Sequence, residues 1–408
     1  MTYKSELLVI WMSQPILRTK YLERLLSVKD LTDTVKVITG IRRCGKTTLM
    51  LQLMDHLRAG GTPDNDILYM NFEVIGNDFP SYREFYADIS EKLGGRRKYL
   101  FLDEVQNVPG WEKAVNSIRV EYDCDIYITG SNAYLLSSDL STLLSGRTFD
   151  IYMMPLSFRE FLELNPPDGT YSGMEERYDQ YARMGSMPMI STGLEQTIVR
   201  ETLLGLISRI ITNDIAPRSG IRDMNTMNRI LRFMMSNIGS PVSPASIARE
   251  LGMSNQKLVS SYLSLLEQAY IFCRVPRYDI SGKKILKTNE KYYCTDPGMR
   301  AAMTGYERKD IGRVLENIVY LELVRRGYDV TTGEINGKEV DFVAVKGSDM
   351  RHYQVTQTLA GTSEREFGSL KNINDHYPKT VITADRNTSD GEDGIKEQNY
   401  LDFLMEEW

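Results

Sequence analysis

Over the first 150 residues, short β-type apolar runs alternate with longer stretches of helical character. The runs Val35–Thr39, Ile67–Phe72, Lys98–Leu102 and Asp125–Thr129 predict four strands, and Phe149–Met153 predicts a fifth. Helix-length segments near residues 46–59, 81–93, 110–121 and 133–144 fall between them. This alternation predicts an α/β unit built on a parallel sheet. Residues 155–225 read as helical and irregular, with punctuation at Pro166-Pro167-Asp168-Gly169 and Gly185-Ser186-Met187-Pro188, and are expected to form a lid or connector. From 226 to 295 the pattern becomes three short helices and two strands, and from about 310 it returns to α/β. A polar loop, Thr388–Gly394, precedes a last short helix ending at Trp408.

A length of 408 residues argues for two or three domains. With 42% apolar and 25% charged residues, the chain falls outside disordered, collagen-like and coiled-coil compositions. Its four cysteines (Cys44, Cys124, Cys273, Cys294) are widely spaced, which excludes a disulfide framework and a clustered zinc site and suits a reducing compartment. The apolar run Leu7–Met12 is too short to span a membrane or to serve as a signal-peptide core, so a cytoplasmic location is expected. Met12 opens Met12-Ser13-Gln14-Pro15, so residues 1–11 are expected to be an upstream extension of the reading frame. The net charge of −6 makes no global case for nucleic acid or membranes, so any such case must come from a local patch.

The chemistry concentrates after the first strand. Gly40-Ile41-Arg42-Arg43-Cys44-Gly45-Lys46-Thr47-Thr48 matches G-x-x-x-x-G-K-[ST] in full. Its glycines let backbone N–H groups wrap phosphate, and a helix beginning near Lys46 adds its positive end. Lys46 is expected on the β- and γ-phosphates, and the Thr47 hydroxyl on Mg²⁺. Tyr99–Leu102 then leads into Asp103-Glu104, a metal-binding acid followed by one placed to orient and polarise water. Side chains alternate along a strand, so Glu104 is expected just past the strand end, where the chain turns. Ser131 or Asn132, after the fourth strand, could sense the γ-phosphate and place water, with capping of the next helix as the alternative. Arg147 is a candidate phosphate sensor or arginine finger in cis or in trans, with an ordinary surface arginine as the alternative. Cys44 fits as a small residue and offers a chemical handle.

These segments, with Leu102-Asp103-Glu104-Val105-Gln106, Ile128–Asn132 and Leu144-Ser145-Gly146-Arg147, occur in the order found in a large prokaryotic group of AAA-superfamily ATPases. The chain resembles that group over residues 13–408. The resemblance implies a P-loop ATPase core over 13–155, a helical lid or connector over 156–225, a winged helix-turn-helix over 226–300 and a restriction-endonuclease-like α/β domain over 301–408. It also implies adenine as the base and a sheet in which the second-acid strand adjoins the phosphate-loop strand.

The middle segment supports a winged helix on its own pattern. Ser243-Pro244 starts a helix with a good cap, Gly252-Met253-Ser254 turns, and Asn255–Ala269 repeats Leu258, Tyr262, Leu265 and Leu266 at helical spacing. Residues 226–295 carry ten Lys or Arg against four acids, a local excess that contrasts with the acidic chain. Lys283, Lys284 and Lys287 could meet DNA phosphates, and Gln256, Lys257 and Ser260 could face a groove. A packing module that couples the ATPase to the C-terminal domain is the alternative. Endonuclease-like folds gather Mg²⁺ with a helix glutamate, a strand aspartate and an acid-x-lysine pair. Glu316 and Asp341 match, but Gln354 and Thr356 stand where the acid and the lysine belong, so this domain is expected to be inactive. The expected whole is an ATP- and Mg²⁺-dependent ATPase coupled to DNA- or protein-binding domains, with no membrane partner and an oligomeric state left open. The alternatives are a slow nucleotide switch acting on proteins and an ATP-gated nuclease.

Overall fold

The computed structural model describes residues 16–94, 97–133, 144, 146–190, 193–219, 223–389 and 391–407. The expected extension at residues 1–11, Ser145, Trp408 and most of the helix expected over 133–144 lie outside them. The chain divides into two compact units, residues 1–154 and 155–408. No helix among the described residues is long and apolar enough to cross a membrane.

In the first unit, α1 (Thr19–Ser27) precedes β1 (Val35–Thr39), α2 (Lys46–Ala59), β2 (Ile67–Asn71), α3 (Tyr82–Leu93), β3 (Lys98–Asp103), α4 (Trp111–Glu121), β4 (Cys124–Gly130) and β5 (Thr148–Tyr152). The five strands form a parallel sheet in the order β2-β3-β4-β1-β5. β1 and β4 are buried along their whole length, as strands covered on both faces require. Val35, Val37, Leu100, Leu102, Ile126 and Ile128 share one core with Phe85, Ile89, Trp111, Val115 and Ile118.

The sheet order corrects one expectation. The second-acid strand β3 does not adjoin the phosphate-loop strand β1, because β4 lies between them and pairs with both, Leu102↔Ile128 and Ile38↔Thr129. The composition of β4 explains its central place. Asp125 is fully buried and can be charged only beside a cation, which Lys36 of β1 supplies through a buried ion pair. Asp125 Oδ2 also accepts from the Tyr127 hydroxyl and the Asp30 N–H, each at 2.8 Å. On the other side Tyr127 stacks on Phe101 of β3, with ring centroids 4.9 Å apart.

The second unit begins with α5 (Phe158–Leu164), α6 (Tyr171–Met184) and α7 (Gln196–Arg209), the last continuing through a π-helical turn at Ile210–Ile215. Then come α8 (Met224–Ser236), α9 (Pro244–Glu250), α10 (Gln256–Gln268) and the hairpin β6 (Phe272–Asp279) and β7 (Lys284–Cys294), the three helices and two strands that the pattern predicts. Ser243 caps α9 in a reciprocal box with Ser246, and Asn255 caps α10 by accepting from the Leu258 N–H. After α11 (Pro297–Thr304), α12 (Ile311–Arg325) leads to β8 (Asp329–Ile335), β9 (Lys338–Lys346), β10 (Asp349–Thr356), α13 (Ser363–Lys371), β11 (Lys379–Thr383), β12 (Ile395–Asn399) and α14 (Tyr400–Met405).

The hairpin is not a free wing. One seven-stranded sheet runs β12-β11-β10-β9-β8-β6-β7, with β6 and β8 parallel at Arg277↔Thr332. The boundary expected between residues 300 and 301 therefore does not interrupt the sheet. Tyr293 of β7 stacks on Tyr320 of α12 at 4.6 Å and tilts against Phe342 of β9 at 5.6 Å, so the hairpin contributes rings to the core beneath that sheet.

Removing one partner of a buried ion pair strands the other charge. Lys36→Met is expected to cost about 3–5 kcal/mol. A lower urea midpoint for the transition of the first unit would show this, and Lys36→Met/Asp125→Leu is expected to recover part of the loss.

Candidate functional site

The site forms where β1, β2, β3 and β4 end together, at the carboxyl edge of the parallel sheet. Asn71 pairs with Asp103, and Thr39 with Gly130, so these strand ends are level. Gly40 leaves β1 with φ +153°, and a Cβ there would lie 2.1 Å from the Met153 carbonyl oxygen. Only glycine fits so close an approach. Arg43 and Gly45 have positive φ, and they turn the loop into α2 so that its first N–H groups face the loop's concave side.

Lys46 and Thr47 open α2. The buried Lys46 ammonium donates to the carbonyls of Gly40 at 3.0 Å and Ile41 at 3.4 Å, and lies 3.6 Å from Glu104 Oε1. The Thr47 hydroxyl donates to Asp103 Oδ2 at 2.8 Å. Asp103 is fully buried, and the same Oδ2 accepts from the Tyr69 hydroxyl at 3.0 Å and Asn71 Nδ2 at 3.3 Å. Its other oxygen accepts from the Thr129 hydroxyl. Burial outweighs these bonds and pushes the Asp103 carboxyl above its usual range.

Glu104 lies one residue past the end of β3, as strand alternation predicts, in the left-handed conformation (φ +56°) that starts a tight turn. A non-glycine residue there carries backbone strain, held in place by the bond from its N–H to Thr129 Oγ1 at 2.9 Å. Burial opposes the Glu104 charge, yet Lys46, the Gln106 amide, Arg42 and Ser131 together hold its carboxyl below the usual range. It is therefore ionised at neutral pH and able to accept a proton.

The remaining expected residues divide into two groups. Ile41, Ser131 and Asn132 are buried around the same strand ends, and Thr48 lies half-buried on the first turn of α2. The others face elsewhere. Arg42 is engaged with Glu73, both guanidinium nitrogens lying within 2.7 Å of one carboxylate oxygen, and Arg43 points to solvent. Cys44 is not a chemical handle: it is fully buried beneath Gly40, and burial raises its thiol pKa. Arg147 is exposed at the amino end of β5, where its carbonyl accepts from the Val35 N–H. Since β5 parallels β1, it stands a strand's length, about 16 Å, from the phosphate-loop edge. The fold does not bring it to Lys46 of its own chain.

Sequence reading missed four members of the site. Tyr69 and Asn71 sit two apart on β2, the spacing that puts both on one face toward Asp103, and that periodicity was a usable signal. Thr129 links the two acids, accepting from one and donating to the other. Arg18 had no local signal: its buried guanidinium donates to the carbonyls of Cys44 at 3.0 Å and Met154 at 2.8 Å, partners 26 and 136 residues away.

Elsewhere, Gln256, Lys257 and Ser260 are exposed on α10, and Lys283 and Lys284 are exposed at the hairpin turn. Lys287 is on β7, and its side chain lies outside the described residues. The basic excess of this segment is partly spent internally. Arg274 pairs with Glu267 and Glu290, Arg277 with Glu334, and Lys291 is buried among Glu316, Glu339 and Asp341.

Comparison with known proteins agrees with the fold of the first unit. The AAA domain family matches residues 32–162, and a domain of unknown function, DUF8612, matches residues 175–310. An uncharacterized protein of Haemophilus influenzae is 38% identical over 399 residues, covering 96% of this chain and 99% of its own. The chain belongs to that protein's family and carries its AAA domain. Uncharacterized protein MJ1544 of Methanocaldococcus jannaschii is 29% identical, over 86% of this chain and 81% of its own. Among solved structures, the Orc1 protein of Aeropyrum pernix in complex with DNA aligns with 77% of this chain and 94% of its own, at 14% identity and a TM-score of 0.31. A score that low supports no inference about this chain.

Burial of Cys44, Cys124 and Cys294 gives a direct check on the loop. Burial pushes the Cys124 thiol up to about 12, and those of Cys44 and Cys294 above their ordinary value. A thiol reagent at pH 8 is expected to titrate no more than Cys273 in the native protein, with the other three appearing on unfolding. Cys44→Ala should leave the native count unchanged.

Proposed function

We propose that this AAA-domain protein is a Mg²⁺-dependent ATPase whose turnover drives its second unit, with DNA as the partner that the exposed lysines favour. The observation that carries the reading is the hydrogen-bonded chain Thr47–Asp103–Thr129–Glu104, which fixes a metal-type acid and a base-type acid at the mouth of a phosphate loop. The donor set suits Mg²⁺: a hydroxyl and a carboxylate, both hard oxygen donors, and a buried acid whose raised pKa a cation would relieve. Thr47 and Asp103 would hold Mg²⁺, and the charge it would supply there suits the neutralisation of phosphate oxygens.

The chain's own groups do the rest. Backbone N–H groups of residues 43–47 receive phosphate oxygens. Lys46 leaves the Gly40 and Ile41 carbonyls for the phosphates, which also takes its charge away from Glu104. Freed of that partner, Glu104 accepts the proton of a water attacking the terminal phosphorus. Arg18 offers a route outward: it holds the loop at Cys44 and, through its other nitrogen, Met154, from which the chain passes into residues 155–408. Gly40 abuts Met153, so a change in loop conformation is felt at the same exit.

In the second unit we read residues 226–300 as a winged helix-turn-helix and the sheet that follows as endonuclease-like but inactive. The exposed Lys257, Lys283 and Lys284 support contact with phosphates, while the hairpin's share in the larger sheet supports a packing role beside it.

Lys46→Ala is expected to abolish nucleotide binding. Glu104→Gln is expected to keep binding and to slow turnover by about 10²–10⁴-fold. Equal steady-state rates for wild type and Glu104→Gln would remove Glu104 as the base. Duplex DNA is expected to stimulate the wild-type rate at low salt and to lose that effect as salt rises. A rate indifferent to DNA at both salt concentrations would favour a protein-directed switch.

Thr129→Val removes the hydroxyl joining both acids. It is expected to lower turnover by up to about 10²-fold through misplacement of Glu104, with nucleotide affinity retained in equilibrium binding.

A further inference from the structure

A second cluster of buried charge lies in the second unit, around Lys291 of β7. Its ammonium is 2.9 Å from Glu316 Oε1 on α12, 2.8 Å from Glu339 Oε1 and 3.8 Å from Asp341 Oδ1 on β9, with the lysine side chain only 3% exposed. The Tyr293 hydroxyl donates to the same Glu316 oxygen. Glu316 and Asp341 are the two acids at which an endonuclease-like fold would gather a divalent cation.

Beyond the three acids that Lys291 engages, the surrounding groups offer a metal no further ligand. Gln354, in the place of the missing acid, turns its carbonyl oxygen to the Asp341 N–H and the Ser369 hydroxyl, both at 3.3 Å. Asp341 Oδ2 is taken by the Val355 N–H at 2.8 Å. Thr356, in the place of the missing lysine, donates to the Thr358 carbonyl. Among the described residues, no three acidic, histidine or cysteine side chains are grouped to hold a metal ion. What the acids surround instead is a compact point charge with three donors.

We infer that the Lys291 ammonium stands in the place of the divalent cation, so that this cluster is a metal-free strut pinning the β6–β7 hairpin to α12 and β9. The lysine absent from β10 is not missing from the site; it arrives from a different strand, and from inside the acid cluster rather than beside it. Burial acts against the Lys291 charge, and Glu316, Asp341 and Glu339 more than offset it, holding the ammonium above its ordinary pKa. The same residues explain why the hairpin belongs to the larger sheet: without it the half-buried Glu316 and the buried Asp341 would lose the cation that Lys291 brings. The inference rests on the endonuclease-like reading only for what the lysine replaces, and it is tested without nucleotide turnover.

Mn²⁺ binding to the full-length, nucleotide-free protein, measured by calorimetry together with the melting temperature, tests it across wild type, Asp341→Asn, Lys291→Ala and Lys291→Ala/Asp341→Asn. Any Mn²⁺ taken up by the first unit is common to all four and cancels. Wild type and Asp341→Asn are expected to bind the same number of Mn²⁺ ions. Lys291→Ala is expected to melt lower, to gain one Mn²⁺ site that the double variant lacks, and to recover melting temperature as Mn²⁺ is added. An Asp341-dependent Mn²⁺ site in wild type would overturn the inference, and so would a folded Lys291→Ala that gains none. Should Lys291→Ala not fold, the neutral, shorter but still polar Lys291→Gln takes its place in the same comparison.

Discussion

A carboxylate with no exposed surface, at the end of the third strand of a parallel sheet, sets the terms for everything around it. Leaving a charged group buried and unpaired costs several kcal/mol, so Asp103 requires donors from every neighbouring element. β2 supplies Tyr69 and Asn71, β4 supplies Thr129, and the first turn of α2 supplies Thr47. Each donor fixes the register of the strand or helix that carries it. A one-residue slip of β2 would turn both of its donors to the other face of the sheet. The position of β4 between β3 and β1 follows the same logic: it is the strand that can face Asp103 with Thr129 at one end and Lys36 with Asp125 at the other.

The second unit meets a similar demand with a different answer. Glu316, half-buried, and Asp341, buried, are also acids brought together by a helix and a strand, each with a neutral donor, the Tyr293 hydroxyl and the Val355 N–H. A lysine carried in by a hairpin supplies the charge. In the first unit the acid is satisfied by hydroxyl and amide groups that a small cation can join. In the second the cation is covalently part of the chain and cannot leave. The first arrangement is suited to exchange and the second to permanence.

Much of the first unit was legible because local rules agree there. A strand buried on both faces is mostly apolar, and Val35, Val37 and Ile38 in the first strand and Ile126 and Ile128 in the fourth read that way without any tertiary knowledge, Lys36 and Asp125 being the exceptions. The phosphate loop was legible because its glycines are demanded by the backbone itself, and Glu104 was placed past the strand end by period-two alternation alone. The order of strands was not legible, since it depends on which buried charge meets which, and Lys36 with Asp125 is a contact across 89 residues. Lys291 shows the same limit more sharply. Counted along the chain it is one basic residue among ten in a presumptive DNA-binding segment, yet its three acidic partners all lie beyond that segment. Arg147 directly precedes β5, which in a parallel sheet puts it at the amino end, away from Lys46 of its own chain; of the readings offered for it, the role in trans and the ordinary surface arginine remain.

The arrangement of Lys46 bears on how the loop can be both formed and reactive. Its ammonium is satisfied by two loop carbonyls and by Glu104, contacts that close the loop around the lysine. Moving the ammonium to a nucleotide exchanges these partners for phosphate oxygens, and intramolecular hydrogen bonds are worth only about 0.5–1.5 kcal/mol net each. The exchange is then close to balanced, and little binding energy goes into shaping a loop already shaped. What changes is the charge beside Glu104, which loses its closest cation as the phosphates gain one. On the proposed mechanism, the lysine that takes the phosphates is thus also the cation nearest the neighbouring carboxylate. Arg18 ties that same loop to Met154, so the lysine's loop and the point where the chain leaves the first unit share one guanidinium.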